Sequence, residues 1–157
     1  MSRPDASDQP QGDALYLLKD FYAAELAYLA AGGPGKASFD ELAMYLDPDV
    51  VTYQGTSLPY GGTWRGHRGM QEHFAAMSQA WESFDILEQK YLDHGDTITV
   101  HSQIRARARA TGIELDFPIV QLITIRDGRI IEFQQFYRDT VPIADACAHQ
   151  RPSDTPS

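Results

Sequence analysis

The chain has 157 residues and a single cysteine, Cys147. One thiol excludes an internal disulfide and any cysteine metal cluster. Nothing in its neighbourhood suggests an activated thiolate, so it reads as a free thiol. Cations are also scarce: 13 Lys and Arg stand against 22 Asp and Glu, for a net charge of −9. A nucleic-acid partner needs a basic face, and docking on anionic lipid needs a polybasic segment. Neither is present, so no nucleic acid and no membrane is expected as a partner. No apolar run approaches membrane-spanning length. The opening residues, MSRPDASDQPQGD, hold no hydrophobic segment of the signal-peptide kind. The expected location is the cytoplasm. Metal-ligand spacings such as His-x-His, HExxH and CxxC are missing, as is a phosphate-cradling glycine loop with its lysine. Neither a metal nor a cofactor is expected.

Hydrophobic residues make up 43% of the chain, which suffices for one core in one domain. Residues 1–12 are polar with two prolines and read as a disordered tail, 13–140 as the domain, and 141–157 as a second tail. Asp13 is placed to cap a helix whose buried stripe would be Leu15, Leu18, Tyr22, Leu26 and Leu29. GGPGK ends it. Ser38 and Glu41 suggest a capping box for a shorter helix, closed by Asp47-Pro48-Asp49. Val50 to Gln54 is strand-like. Met70, Phe74, Met77 and Trp81 mark a third helix. From Phe84 onward four strands are expected, with turns at Gly95-Asp96, Thr111-Gly112 and Asp127-Gly128. Helices followed by a meander give an α+β domain, its helices packed on one face of a curved antiparallel sheet.

Alternation along strands assigns faces. Ile113, Leu115, Phe117, Ile119, Ile123 and Ile125 share one face, and Gln121 sits among them. Ile131, Phe133 and Tyr137 share another with Gln135. Ile98, Val100, Ile104, Ala106 and Ala108 face inward, and Arg105, Arg107 and Arg109 outward. Two inward amides on adjacent strands must find partners. Either they satisfy each other and the backbone, or they line a polar patch in a ligand cavity.

Three segments carry a resemblance: FDELAMYLDPDVV, LPYGGTWRGHRGMQEHFAAM and RDGRIIEFQQFYRDT. With the order of elements, they make the chain similar to the SnoaL-like branch of the nuclear transport factor 2 (NTF2)-like superfamily. That resemblance implies a cone: three N-terminal helices in a curved sheet, with an apolar pocket at the open end. It also implies a homodimer through the convex face, where the arginine row would meet a second copy. The glycine-rich stretch Ser57 to Met70 would lie at the cone's mouth, with Tyr60 and Trp64 as pocket walls. Relatives include ketosteroid isomerases, polyketide cyclases, scytalone dehydratases and limonene-epoxide hydrolases. Matched onto them, the isomerase base falls near Gln54, its protonated acid near Gln121, and the carboxylate of the final strand near Gln135. An amide does not exchange protons near neutral pH, so those mechanisms do not carry over intact.

His73, beside the helical stripe, is the candidate proton carrier. Tyr22, Gln121 and Gln135 are candidate catalytic donors. Tyr53, Gln54, Tyr60, Trp64, Phe74, Phe117, Phe133 and Tyr137 are candidate ligand-binding residues. For each aromatic the plain alternative is core packing. Three functions stay open. One is a cofactor-independent enzyme of isomerase, cyclase or dehydratase type acting on a small hydrophobic oxygenated molecule. The second is a non-catalytic binding protein for such a molecule. The third is an interaction subunit that uses the arginine face.

Overall fold

The computed structural model describes residues 4–148, and side chains of its first helix from Asp13 onward. The elements are α1 (Pro4–Ala30), α2 (Asp40–Ala43), β1 (Leu46–Gln54), β2 (Gly62–Arg65), α3 (Gly66–Ala80), β3 (Trp81–Asp93), β4 (Thr97–Ala108), β5 (Glu114–Arg126), β6 (Arg129–Tyr137) and α4 (Val141–Ala148). Six strands form one curved sheet in the order β2-β1-β6-β5-β4-β3. The α+β class and the helix-then-meander order stand as expected. Among the described residues no helix is long and apolar enough to cross a membrane.

The sheet is not wholly antiparallel. β1 runs parallel to β6, while every other neighbouring pair is antiparallel. Parallel neighbours need a long crossover, and here everything from β2 to β5 provides it.

The helices also differ from expectation. α1 begins at Pro4, inside the segment expected as a tail, so Asp13 is a mid-helix residue and not a cap. α4 occupies the start of the expected C-terminal tail, and its Ile143 and Ala146 are buried against Trp81 and Phe117. Residues 1–3 and 149–157, the rest of the two expected tails, lie outside the described residues. α2 has only 4 residues. The Ser38 hydroxyl accepts from the Asp40 amide (3.1 Å) in place of the expected capping box. The Asp-Pro-Asp run lies within β1, where the register against β6 shifts between Leu46 and Val51. A register shift is one of the few places a strand tolerates proline.

The meander is as read, except that β3 starts at Trp81, which was expected on the third helix. Its Asp127-Gly128 turn has both residues in the left-handed region (φ 53° and 77°), as a two-residue hairpin of the observed twist requires. β4 and β5 keep the expected alternation, except that Ile113 lies before β5 and is exposed. In β6 an irregularity between Thr124 and Ile125 brings Ile130 opposite Ile125. Ile130, not Ile131, is therefore the fully buried residue, and the expected inner row resumes at Phe133.

On α1 the buried line is Ala14, Leu18, Phe21 and Tyr28, while Leu26 and Leu29 are 60% and 43% exposed. Residues 14, 18, 21 and 28 repeat at helical steps of three, four and seven. The position that completes this row is Glu25.

The glycine-rich stretch is scaffold. Gly62 to Arg65 adds β2 to the edge of β1, a strand that sequence alone did not reveal. Tyr60 has no exposed surface. A Cβ on Gly61 would lie almost on the Gly55 carbonyl oxygen and against the Thr56 backbone. Gly61→Ala is therefore expected to destabilise the fold by about 1–3 kcal/mol, the range for overpacking. Chemical unfolding reads this directly; an unchanged midpoint would mean that the loop moves aside freely.

Candidate functional site

A cavity of about 90 Å³ lies between α1, α3 and the inner face of the sheet. Eight of the expected residues line it: Tyr22, Gln54, His73, Phe74, Gln121, Phe133, Gln135 and Tyr137. Strand alternation explains the strand members, since Gln54, Gln121 and Gln135 all fall on inward positions.

Four expected residues stand elsewhere. Tyr53 alternates outward from Gln54, pairs with Thr63 and Gln134, and is 38% exposed. Tyr60, Trp64 and Phe117 sit behind the wall. The Trp64 indole N–H donates to the Tyr60 carbonyl (3.1 Å), with its ring 5.6 Å from that of His73. Phe117 stacks on Tyr137 at 5.8 Å. The Tyr60 hydroxyl accepts from the Trp81 indole N–H (3.1 Å) and shares a 2.9 Å hydrogen bond with the Tyr137 hydroxyl. These three aromatics brace Tyr137 and His73 without lining the cavity. Large rings near a cavity need not face it when a polar tip has a partner in the core.

The polar groups form two ordered sets. The Tyr22 hydroxyl donates to Gln121 Oε1 (2.5 Å), and Gln121 Nε2 donates to Gln135 Oε1 (2.7 Å). Gln121 and Gln135 face each other across β5 and β6. On the other wall, Gln54 Nε2 lies 3.1 Å from His73 Nε2. An amide nitrogen only donates, so His73 Nε2 accepts and the neutral ring carries its proton on Nδ1. That Nδ1 and Gln54 Oε1 are buried with no protein partner. Unpartnered buried polar atoms of this kind mark a place for a ligand or water.

Burial sets the protonation states. His73 is 4% exposed, and burial pushes its pKa down to about 4. It is thus a neutral imidazole at neutral pH, not the expected proton carrier. Tyr22 and Tyr137 are pushed well above the ordinary phenol value, chiefly by burial, and remain protonated. Burial lifts the Cys147 thiol to about 11, in keeping with an inert thiol.

The group that sequence reasoning missed is Glu25. Its side chain lines the cavity one turn beyond Tyr22, and burial pushes its carboxyl up to about 7. Among the described residues it has no ion-pair partner. Thr52, Gln89 and Ser102 also line the cavity unannounced. Ser102 was within reach, because it occupies the inward row of β4 between Val100 and Ile104.

The arginine face is self-satisfied. Arg105 bonds Asp116 through two contacts (2.9 and 3.2 Å), and Arg107 lies 3.7 Å from Glu114. The charges expected to meet a second copy are paired within the chain.

A family model described as a SnoaL-like domain matches residues 21–133. The chain belongs to the SnoaL-like domain family. No curated protein sequence matches it significantly. Solved structures share the fold at low identity. An NTF2-like protein from Burkholderia xenovorans is 20% identical, with 87% of this chain and 97% of that one covered and a TM-score of 0.75. A protein assigned as a SnoaL-like polyketide cyclase from Jannaschia is 14% identical over 97% and 99% of the two chains, with a TM-score of 0.71. A protein of ketosteroid isomerase-like fold from Catenulispora acidiphila, solved with trimethylamine, is 16% identical over 88% and 98%, with a TM-score of 0.62. This SnoaL-like domain thus has the NTF2-like fold.

Proposed function

We propose that this SnoaL-like protein is a cofactor-independent enzyme of isomerase, cyclase or dehydratase type. Its substrate is a small hydrophobic molecule bearing oxygen, and Glu25 is its proton carrier. One observation carries the reading: a carboxyl that burial pushes up to about 7 lines a cavity beside neutral hydrogen-bonding groups. A proton carrier works best when its pKa lies near the operating pH. Tyr22, His73 and the amides would orient the substrate and meet charge that develops on its oxygen. The cyclase assignment of the Jannaschia relative supports the reaction class.

A second reading is a binding protein without turnover. The amides Gln54, Gln121 and Gln135 favour it, because they fix a ligand but move no proton. In either case a homodimer would use the outer sheet face, where Leu92 and Phe136 are exposed.

Thermal unfolding against terpenoids, aromatic polyketides and steroids tests the pocket. A ligand at one hundred times its dissociation constant adds about 2.7 kcal/mol of stability. A shift confined to one chemical class would name where to look for turnover. No shift with any of them would remove both readings.

A further inference from the structure

A second hollow of about 280 Å³ adjoins the cavity. Glu25, Phe74, Met77, Phe84 and Ile86 line both, so they form the neck between an inner chamber and a vestibule. The vestibule opens between α1, the end of α3 and the start of β3. Its Trp81 donates through the indole N–H to the Tyr60 hydroxyl of the glycine-rich stretch (3.1 Å).

The two spaces differ in chemistry. The inner chamber presents Gln54, His73, Gln121 and Gln135, with the unpartnered Gln54 Oε1 and His73 Nδ1 fully buried. A hydroxyl suits a lining of amides and a neutral imidazole, since it both donates and accepts. The vestibule presents Leu26, Leu29, Met77 and Ile86. Leu26 and Leu29 are exposed there, which a helix of this length would avoid unless the patch is covered in use.

Size narrows the occupant. At about 30 Å³ per water-sized group, the inner chamber holds about three such groups and the vestibule about nine. Charge narrows it again, because the neck carries a carboxyl. The neutral Tyr22, His73 and Tyr137 line the inner chamber with Glu25, and Glu82 and Arg109 line the vestibule. The Arg109 guanidinium is held by the Ser78 and Trp81 carbonyls (3.0–3.2 Å).

Resting on the reading that the cavity is a small-molecule site, we infer that its substrate is a neutral, end-oxygenated molecule of about a dozen heavy atoms, bound oxygen first with its apolar body in the vestibule. Carboxylates meet the charge at the neck.

A series of 2-alkanols tests this by calorimetry at pH 8. Affinity is expected to rise about three- to fourfold per added methylene and to level off near about twelve heavy atoms, as in 2-undecanol. The carboxylic acid of the same length is expected to bind at least about tenfold more weakly. The double variant Leu26→Ser/Leu29→Ser, at exposed positions, should flatten the gain for the longer alcohols. A flat series, a gain that continues well past 2-undecanol, or equal binding of the acid overturns the inference. Binding of steroids but of no alkanol overturns it too, while sparing the small-molecule reading. Binding of nothing at all removes that reading itself.

Discussion

Glu25→Gln is expected to slow exchange of carbon-bound hydrogen in a bound carbonyl compound by about 10²- to 10⁴-fold, the usual contribution of a positioned general acid–base. The assay needs no knowledge of the natural reaction. A ligand found by thermal shift is incubated with protein in deuterium oxide, and label entering beside its carbonyl is followed by mass spectrometry. Isomerisation, enol-forming cyclisation and dehydration all begin by moving such a proton. The amide keeps the size and hydrogen-bonding capacity of the side chain, so the ligand should still bind. Glu25→Asp, which keeps the acid but shortens its reach, should retain part of the activity. Ligand binding without label uptake in the unaltered protein would favour the binding-protein reading. Label uptake undiminished in Glu25→Gln would move the proton carrier elsewhere.

The second large effect concerns stability against pH, and it is concealed in the unaltered protein. The Glu25 carboxyl rises from 4.5 to about 7 on folding. Its contribution is intact below pH 4.5 and is lost as pH rises to about 7. His73 falls from 6.5 to about 4, so its contribution is intact above pH 6.5 and is lost as pH falls to about 4. One pKa unit corresponds to about 1.4 kcal/mol. Over the shared window the two losses run in opposite directions and nearly cancel. Between pH 5 and 8 the pair should leave stability level to within about 1 kcal/mol. Each single substitution uncovers the other group. Glu25→Gln should be less stable at pH 5 than at pH 8 by about 2 kcal/mol, and His73→Gln less stable at pH 8 than at pH 5 by about 3 kcal/mol. Glu25 keeps some contact with solvent through the vestibule, so the figure that depends on it is an upper limit. Denaturant titrations at the two pH values decide the matter. Parallel pH profiles for both single variants would show that neither group is held neutral inside the fold.

Much of this architecture was legible because strands alternate strictly. The inward amides on β5 and β6, the Asp-Gly turn and the inner row of β4 all follow from counting by two. Helix α1 was misread because two rows compete on it. Leu15, Leu18, Tyr22, Leu26 and Leu29 make the more apolar stripe. The row that packs inward runs through Ala14, Leu18, Phe21, Glu25 and Tyr28 instead. A charged residue breaking that row was the available signal for the site, and the leucines of the competing stripe masked it. Two of those leucines, Leu26 and Leu29, looked like core and line the vestibule. Strand β2 was illegible for another reason: its 4 residues begin with glycine and pair only at the sheet's edge.

The parallel contact of β1 with β6 also bears on how the protein is made. A ribosome releases β1 long before β6 exists, so the first strand waits through most of synthesis with only β2 beside it. The meander can close from local hairpins meanwhile, since such pairings cost little chain entropy. The bonds that complete the chamber, Tyr22 to Gln121 and Tyr60 to Tyr137, join residues 99 and 77 positions apart. The chamber therefore cannot close until the final strand pairs beside the first.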